Sequence, residues 1–237
     1  MKLDSSNNLR LATGQPVLKL PYNYQKTPDT SSRPPGTVNF SFDQNIINYL
    51  VDQDVDRLGP FMASAFVVLL YRYTGQSVIP LSISPDFLGK GHISTQVQTQ
   101  GNMTFEDIYQ KVDEMIRIHP QTIHSPGQVH FSMNDSHGLP EDKFHQLDIH
   151  LALIKDNGFV AFSIHYNAAL FRADTIERMG NHYQNLINSI LDKGRETLLS
   201  KLTMFNETEN KWFAQTSTGG ISSTSSNFVH YDIEQHA

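Results

Sequence analysis

Histidines and a carboxylate stand close together in one part of the chain, where they could act as metal ligands. His145, Asp148 and His150 form the pattern H-x-x-D-x-H. Zinc binds imidazole and carboxylate groups, but the ligands must converge on one point. On a strand only positions 148 and 150 share a face, and no further carboxylate or thiolate cluster completes a site. We therefore predict no metal site and interpret Asp148 as a structural polar residue that accepts hydrogen bonds.

Two other histidines come near the spacing that acid–base catalysis would use. His130 is followed four residues later by Asn134, and His137 is followed at the same distance by Glu141. The Asn134 amide cannot act as a carboxylate. None of the eleven histidines has Asp four positions on, and the chain has no G-x-S-x-G elbow and no phosphate-binding glycine loop. We predict that the chain has no catalytic residues and binds no cofactor.

Composition excludes several other classes of function. With 237 residues, 38% hydrophobic and 18% charged, the chain is long enough for a sizeable hydrophobic core. Its net charge of −6, with no basic block, argues against nucleic-acid binding. Zero cysteines exclude disulfides and thiolate metal sites. The N-terminus lacks a signal-peptide apolar segment, and the longest apolar run, residues 60–71, is too short for a bilayer. We expect a cytoplasmic protein with no membrane partner.

Hydrophobic periodicity predicts short strands and helices in alternation, which is typical of a mixed α/β layer domain. The predicted strands cover residues 38–42, 77–84, 92–99, 128–133, 147–155 and 159–166. The predicted helices are one capped by Asp43, one over residues 60–75, one capped by Thr104 and ending near residue 118, and one over residues 174–191. Together these elements predict the α/β fold class and leave the function open.

Three short sequences refine this prediction. Asp156-Asn157-Gly158 supplies turn residues, so the last two strands are expected to form a hairpin. Pro60 is placed for the first turn of its helix, where its missing N–H is tolerated. Pro80 predicts that its strand lies at a sheet edge or begins irregularly, because proline cannot donate to a ladder.

Several segments resemble, in order, the C-terminal lobe of nonribosomal peptide synthetase condensation domains. Residues 166–179, YNAALFRADTIERM, match the family pattern Y-N-x-x-L-F-x-x-x-T-I-x-R-M. Residues 66–76, FVVLLYRYTGQ, resemble a buried helix that ends in L-x-R-Y-x-G-Q. Weaker matches are LKLP at 18–21, MTFEDI at 103–108 and LDI at 147–149. The resemblance implies a chloramphenicol-acetyltransferase-like lobe, a mixed sheet with helices packed on it, in which Asp148 belongs to a polar network.

The end of the chain resembles the junction between such a lobe and the next domain of a synthetase. Residues 214–237 contain a Ser/Thr/Gly-rich stretch typical of a flexible linker, then FVHYDIEQHA, which is similar to the start of an adenylation domain. We therefore divide the chain into a truncated condensation-like domain, 1–213, and a linker with the beginning of an adenylation domain, 214–237. Because the chain starts at Met1, we expect it to form the N-terminal part of a larger synthetase.

Departures from the family pattern imply a scaffold instead of a catalyst. The family's first lobe, with its two adjacent histidines and Asp-Gly, has no counterpart here. Where the family has Asn and Arg in one strand, this chain has Ser94 and Thr99. We therefore predict a non-catalytic platform for an adenylation domain in the same polypeptide. The alternatives are one lobe of a split condensation enzyme whose histidine motif comes from another chain, and a docking module for an upstream synthetase or carrier protein.

Three aromatic residues just before the linker are candidates for contact with the next domain. They are Phe205, Trp212 and Phe213. Aromatic side chains often anchor interfaces. The simpler alternative is that they pack the terminal segment onto their own domain.

Overall fold

The computed structural model describes residues 17–26, 34–51, 55–84, 93–118, 128–133, 147–156, 159–206 and 208–211. Its strands are β1 (Pro35–Ser41), β2 (Val78–Ser84), β3 (Ile93–Gln98), β4 (Val129–Met133), β5 (Ile149–Asp156) and β6 (Phe159–Asn167). Its helices are α1 (Gln44–Val51), α2 (Val55–Thr74), α3 (Phe105–Ile118) and α4 (Ala173–Lys193), followed by a 3₁₀ turn at Leu199–Lys201. Every strand and helix that periodicity predicted is therefore present.

The six strands form one mixed sheet in the order β1-β6-β5-β4-β2-β3. β4 runs parallel to both of its neighbours, β2 and β5, and the other pairs are antiparallel. The predicted hairpin joins β5 to β6, and Asp156 pairs with Phe159 across its two-residue turn. The predicted mixed sheet is confirmed, and it sets which side chains become neighbours across the strands.

One face of the sheet is apolar because side chains alternate along each strand. Leu81, Phe131, Leu151 and Phe162 are among the buried residues on this face. Helices α2, α3 and α4 all meet it: Gly59 of α2 approaches Met133, Met115 of α3 contacts Thr95, and the Tyr183 ring of α4 lies 5.2 Å from the Phe162 ring. The helices therefore cover the apolar face, and the opposite face carries polar side chains.

Helix α2 is buried along most of its length, as its apolar sequence predicts. Every residue from Leu58 to Leu70 lies below the surface. Among the described helices, none is both long enough and apolar enough to cross a membrane. A buried helix at the centre of the helical layer fixes the spacing of α3 and α4 on either side of it.

Helix starts follow the local capping chemistry that the sequence predicts. The Asp43 carboxylate accepts from the Ile46 N–H at 3.0 Å at the start of α1, which lowers the pKa of Asp43. At the start of α3, Thr104 and Asp107 form a reciprocal capping box: the Asp107 N–H donates to the Thr104 hydroxyl, and the Thr104 N–H donates to the Asp107 carboxylate.

The prediction for Pro60 is wrong, and of the two alternatives for Pro80 the sheet edge is wrong. Helix α2 begins at Val55, so Pro60 lies inside it and not in its first turn. β2 lies between β4 and β3, so Pro80 is not on an edge strand. The register with β4 starts only at Ser82, so Pro80 lies in the part of β2 that pairs with β3 alone. A missing N–H is tolerated there because the ladder on the β4 side has not yet begun.

Gly180 allows α4 to approach β1 closely, and we predict that Gly180→Ala destabilises the protein. A Cβ at this position would overlap the Phe40 ring, which is stacked on Phe162 with the ring centroids 4.7 Å apart. The overlap costs about 1–3 kcal/mol, against a helix-propensity gain of about 1 kcal/mol. Urea unfolding should therefore give a lower free energy of unfolding.

Gly101→Ala is the matched control for this substitution. A Cβ at Gly101 meets its nearest atom, the Tyr71 hydroxyl, at an ordinary 3.5 Å. Gly180→Ala with the same stability as Gly101→Ala would contradict the close packing of α4 on β1.

Candidate functional site

A row of polar side chains crosses the polar face of the sheet. His130, His150 and His165 pair in register on β4, β5 and β6. The row, called here the histidine row, consists of Ser94, Ser82, His130, His150, His165 and Thr37. The ring centroids are 4.9 Å apart between His130 and His150 and 5.2 Å apart between His150 and His165. Neighbouring imidazoles are therefore in direct contact.

Serine hydroxyls bind the imidazoles of this row. The Nε2 atoms of His130, His150 and His165 lie 3.1, 2.8 and 3.2 Å from the hydroxyls of Ser84, Ser132 and Ser163, respectively. The Thr37 hydroxyl lies 2.9 Å from Nδ1 of His165. These bonds hold one ring nitrogen each of His130 and His150 and both ring nitrogens of His165.

The Ser132–His150 pair resembles a nucleophile and base in distance, yet its position excludes that role. Ser132 is 4% exposed and His150 is 0% exposed, so no substrate reaches the hydroxyl. Burial, and then the neighbouring His130 and His165, hold the pKa of His150 well below its usual 6.5. His150 is therefore neutral at pH 7, and the row acts as a structural polar network.

Asp148 fixes the N-terminal segment to the start of β5. Its carboxylate accepts from the Tyr22 hydroxyl at 2.6 Å and from the Lys26 ammonium at 3.1 Å. Gln128 joins the network by donating to Tyr22 Oη and by exchanging two hydrogen bonds with the Leu18 backbone. Asp148 is 1% exposed, and its partners supply the charge and donors that a buried carboxylate requires.

The H-x-x-D-x-H pattern is divided between different contacts. Asp148 binds the N-terminal segment, whereas His150 contacts the other histidines and Ser132. His145 lies outside the described residues, as do Asn134, His137 and Glu141. Within the described residues, no group of three His, Cys, Asp or Glu side chains is placed to hold a metal ion.

Ser94 and Thr99, which differ from the Asn and Arg of the family pattern, lie within β3 and just beyond its end. Ser94 is half-buried in β3, and its hydroxyl is 3.4 Å from that of Ser82 in the histidine row. Thr99 is fully buried just beyond β3, and its N–H donates to the Ser77 carbonyl at 2.8 Å. The Thr99 hydroxyl also donates to the Gln76 and Ser77 carbonyls at 3.4 and 3.3 Å, so both hydroxyls bind groups of the neighbouring segment of the chain.

After α4 the chain reverses at Gly194 and runs back along the same helix. Residues 195–206 and 208–211 are called here the C-terminal strap. One α4 side chain per turn binds it: Lys193 donates to the Lys201 carbonyl, Ser189 binds Thr203, Asn185 donates to the Met204 carbonyl, and His182 binds Glu209. Spacings of three and four residues place these side chains on one stripe of the helix.

The strap is also held by α2 and α3. The guanidinium of Arg72 on α2 donates to the carbonyls of Leu199 and Leu202 at 3.3 and 3.1 Å. Arg195 forms an ion pair with Glu106 at 2.7 Å and lies 3.7 Å from the centroid of the Tyr109 ring on α3. The strap therefore touches all three helices that cover the sheet.

A buried hydrogen-bond chain holds the far end of the strap. The Tyr73 hydroxyl lies 2.6 Å from His182 Nδ1, and His182 Nε2 lies 2.9 Å from Glu209 Oε1. His182 is 1% exposed and Tyr73 is 5% exposed. Burial lowers the pKa of His182 and raises that of Tyr73. Both groups are therefore neutral at pH 7 and connect α2, α4 and the strap.

The predicted aromatic contacts are only partly within the described residues. Phe205 is half-buried, and its ring meets the His182 ring edge-on, with centroids 5.2 Å apart and an interplanar angle of 90°. Trp212 and Phe213 lie outside the described residues. In this chain Phe205 packs on its own domain and keeps part of its surface accessible.

Part of this geometry could have been deduced from the sequence. In the predicted hairpin Asp156 stands opposite Phe159, and in the antiparallel register that follows from this pair His150 stands opposite His165. Asn206 and Glu209 have the spacing of a capping box, and they form one. The pairing of His130 with His150, and that of His182 with Tyr73, gives no local signal because distant segments meet.

Comparison with known proteins identifies the fold. No protein-family model and no curated protein matches the chain. A solved four-domain nonribosomal peptide synthetase bound to AMP and glycine matches 89% of the chain, with a TM-score of 0.69 and 16% identity. The X-domain from teicoplanin biosynthesis in complex with OxyB matches 83%, with a TM-score of 0.64 and 18% identity.

An epimerization domain from tyrocidine synthetase B also matches, over 78% of the chain, with a TM-score of 0.57 and 10% identity. At such identities the similarity establishes a shared fold. The predicted fold class, α/β with a mixed sheet and helices in a chloramphenicol-acetyltransferase-like lobe, is confirmed. The chain spans 21% of the four-domain synthetase and about half of the X-domain and epimerization chains, at 54% and 53%.

The neutral state of His150 predicts that stability falls in mild acid. Its folded pKa is depressed, so below about pH 6.5 the unfolded chain binds a proton that the folded chain does not. The free energy of unfolding should fall by up to about 1.4 kcal/mol per pH unit for each such histidine. Urea titrations from pH 7.5 to 5.0 measure this slope.

His150→Gln is the comparison for this slope. The variant lacks the imidazole of His150, whose pKa is lowered in the folded state, so its free energy of unfolding should depend less steeply on pH. Equal slopes in the two proteins, or a wild-type slope of opposite sign, would contradict a buried neutral His150.

Asp148→Asn tests the anchoring of the N-terminal segment. The amide loses the charge that Lys26 meets, so we expect a loss of about 1–3 kcal/mol in the free energy of unfolding. Tyr22→Phe should cost less, because it removes the hydrogen bonds of the Tyr22 hydroxyl to Asp148 and from Gln128 but leaves the ion pair between Lys26 and Asp148. A double-mutant cycle should give coupling between positions 22 and 148, and additive effects would contradict their direct contact.

Proposed function

We propose that the chain is a condensation-type lobe that performs no condensation chemistry and supports an adenylation domain following it in the same cytoplasmic polypeptide. The strap carries this proposal. It lies along α4 and ends, at residues 208–211, in a helical turn that His182 binds. The polypeptide beyond therefore starts from a fixed point on the helical layer, and the Ser/Thr/Gly-rich residues that follow would connect that point to the next domain.

The absence of chemistry is proposed from the sequence and from the burial of the serine–histidine pairs. No histidine is followed at the fourth position by Asp, and Ser132 with His150 is closed to substrate. The similar fold in a four-domain synthetase supports a place for such a lobe within a multidomain chain. Residues 1–213 would then be the lobe and residues 214–237 the connection to the next domain.

Contact with the next domain is proposed at the strap and the residues beyond it. Phe205 offers a half-buried aromatic surface there, next to exposed Lys201 and Asn206. Trp212 and Phe213 would extend this surface in the sequence. An aromatic centre with a polar rim is the usual composition of an interdomain contact.

A second candidate function is one lobe of a split condensation enzyme. Helices α2, α3 and α4 cover only one sheet face, which favours a second polypeptide on the other. However, His130 and His150 have no exposed surface in the lone chain. A partner would meet the rim of the polar face, at exposed Thr37 and Gln96, and not its centre. The burial therefore favours the platform.

The third candidate is a docking module for an upstream synthetase or carrier protein. The X-domain that this chain resembles was solved as a complex with OxyB, so a separate protein binds that domain. A pull-down with the upstream carrier protein tests this candidate, and no retention of the carrier would exclude it.

The platform predicts that the lobe stabilises its neighbour. The adenylation domain should be produced with and without residues 1–213 and compared by thermal unfolding and soluble yield. Each kcal/mol of interface should raise its unfolding temperature by about 2–4 °C. Calorimetric titration of residues 1–213 with the isolated adenylation domain measures the affinity of the contact directly. If the interface is too weak for this, the two domains should be compared when they are joined in one polypeptide.

Phe205→Ala is the variant for this experiment, with Glu114→Ala, at an exposed position of α3 outside the strap, as its control. We expect the stabilisation to shrink in the first and to persist in the second. Identical stability and yield of the adenylation domain with and without the lobe would contradict the proposal.

A further inference from the structure

We propose that Tyr73, His182 and Glu209 form a latch that fixes the end of the strap on α2 and α4 and so sets the point where the following polypeptide leaves the lobe. The inference goes beyond the platform function, because it concerns this chain alone and holds whichever domain follows. It rests on the distances of 2.6 and 2.9 Å that join the three side chains.

The donors and acceptors of the three side chains can be assigned in one consistent way, from the Tyr73 hydroxyl to the Glu209 carboxylate. A carboxylate only accepts, so Glu209 requires a proton on Nε2 of His182. The neutral ring then has an unprotonated Nδ1, which accepts the Tyr73 hydroxyl proton. Each group in the chain from Tyr73 to Glu209 is satisfied without a charge on His182. The tautomer of His182 is therefore set by Glu209 of the strap at Nε2 and by Tyr73 of α2 at Nδ1.

Glu209 performs two tasks at once. Its Oε1 accepts from His182, and its Oε2 accepts from the Asn206 N–H at 2.9 Å, while the Glu209 N–H donates to the Asn206 side chain at 2.8 Å. The carboxylate thus closes the cap of the terminal helical turn and binds that turn to α4. Removing it would release both the cap and the attachment.

The latch is better protected from water than two of the other attachments along α4, those of Lys193 and Asn185. Lys193 is exposed and Asn185 is half-buried, so water can replace their hydrogen bonds to the strap. Tyr73 and His182 are buried, and a broken bond there leaves a polar group without water. Phe205 covers the His182 ring from the strap side. Ser189, which is also buried, holds Thr203 separately, so the last attachment should dominate the opening of the strap beyond Thr203.

The charged groups around His182 do not replace this connection. Arg178 on α4 acts on His182 and Tyr73 only through its charge, which adds to the effect of burial on the pKa of His182 and opposes the effect of burial on the pKa of Tyr73. Glu209 is the carboxylate that bonds His182. Among the described residues, Tyr73 and Glu209 are the side chains that hydrogen-bond the two ring nitrogens.

Hydrogen–deuterium exchange on the full chain at pH 7 tests the latch. Glu209→Ala and Tyr73→Phe should each lower the protection of amides 204–206 and 208–211 about tenfold. Tyr73→Phe is the sharper variant, because Tyr73 lies on α2 and its effect must pass through His182. Protection in β5 and β6 should stay at the wild-type level in both variants.

Two controls separate the latch from ordinary effects on the strap. Glu196→Ala removes an exposed glutamate of the same strap and should leave exchange unchanged. Asn206→Ala weakens the cap but keeps Glu209 opposite His182, so it should loosen the strap less than Glu209→Ala. Wild-type protection of the strap in Glu209→Ala and Tyr73→Phe, or equal loss in the strap and the sheet, would overturn the proposal.

The tautomer provides an independent measurement if a variant folds poorly. Nitrogen chemical shifts of His182 in the wild-type chain should show a protonated Nε2 and an unprotonated Nδ1. The reverse assignment would overturn the proposed direction of the latch.

Discussion

Tyr183 joins the three parts of the fold, and the arrangement of the other elements depends on it. Its ring, fully buried on α4, meets Phe162 of β6 and Phe66 of α2 edge-on, with centroids 5.2 and 6.3 Å away. Its hydroxyl donates to the Met62 carbonyl on α2 at 2.8 Å. Burial raises its pKa well above the usual value, so it remains a donor. One side chain thus sets the distance between sheet and helices, and with it the position of the strap.

The two faces of the sheet make different kinds of contact. The apolar face buries large side chains under α2, α3 and α4, which supplies most of the driving force for folding. On the polar face, the hydroxyls of three serines and of Thr37 bind the three histidines that the strand register places side by side. Asp148 adds the N-terminal segment to this face through Tyr22 and Lys26. Polar groups here define the register and the attachment of segments, and they perform no reaction in the proposed function.

The sequence was sufficient for the elements and insufficient for several contacts between them. Periodicity located the six strands and four helices, because apolar spacing follows the local geometry of each element. It left open whether Pro80 lies at a sheet edge or at an irregular strand start, because the register with β4 is set by parallel pairing between distant segments. Hairpin geometry could have paired His150 with His165, but His130 reaches them only across a parallel ladder. The hydrogen bond between Tyr73 and His182 joins residues 109 positions apart, so the sequence around neither residue could predict it.

A lobe that holds its own core, satisfies its own polar face and fastens its own terminal strap should need no second polypeptide to fold. Equilibrium urea unfolding of the lone chain, monitored by fluorescence, circular dichroism and amide exchange, tests this most directly. We predict one cooperative transition, with the amides of β5 and β6 protected up to the global free energy of unfolding. A chain that unfolds without cooperativity, and gains a transition only when another polypeptide is added, would contradict a self-sufficient lobe and favour the split enzyme.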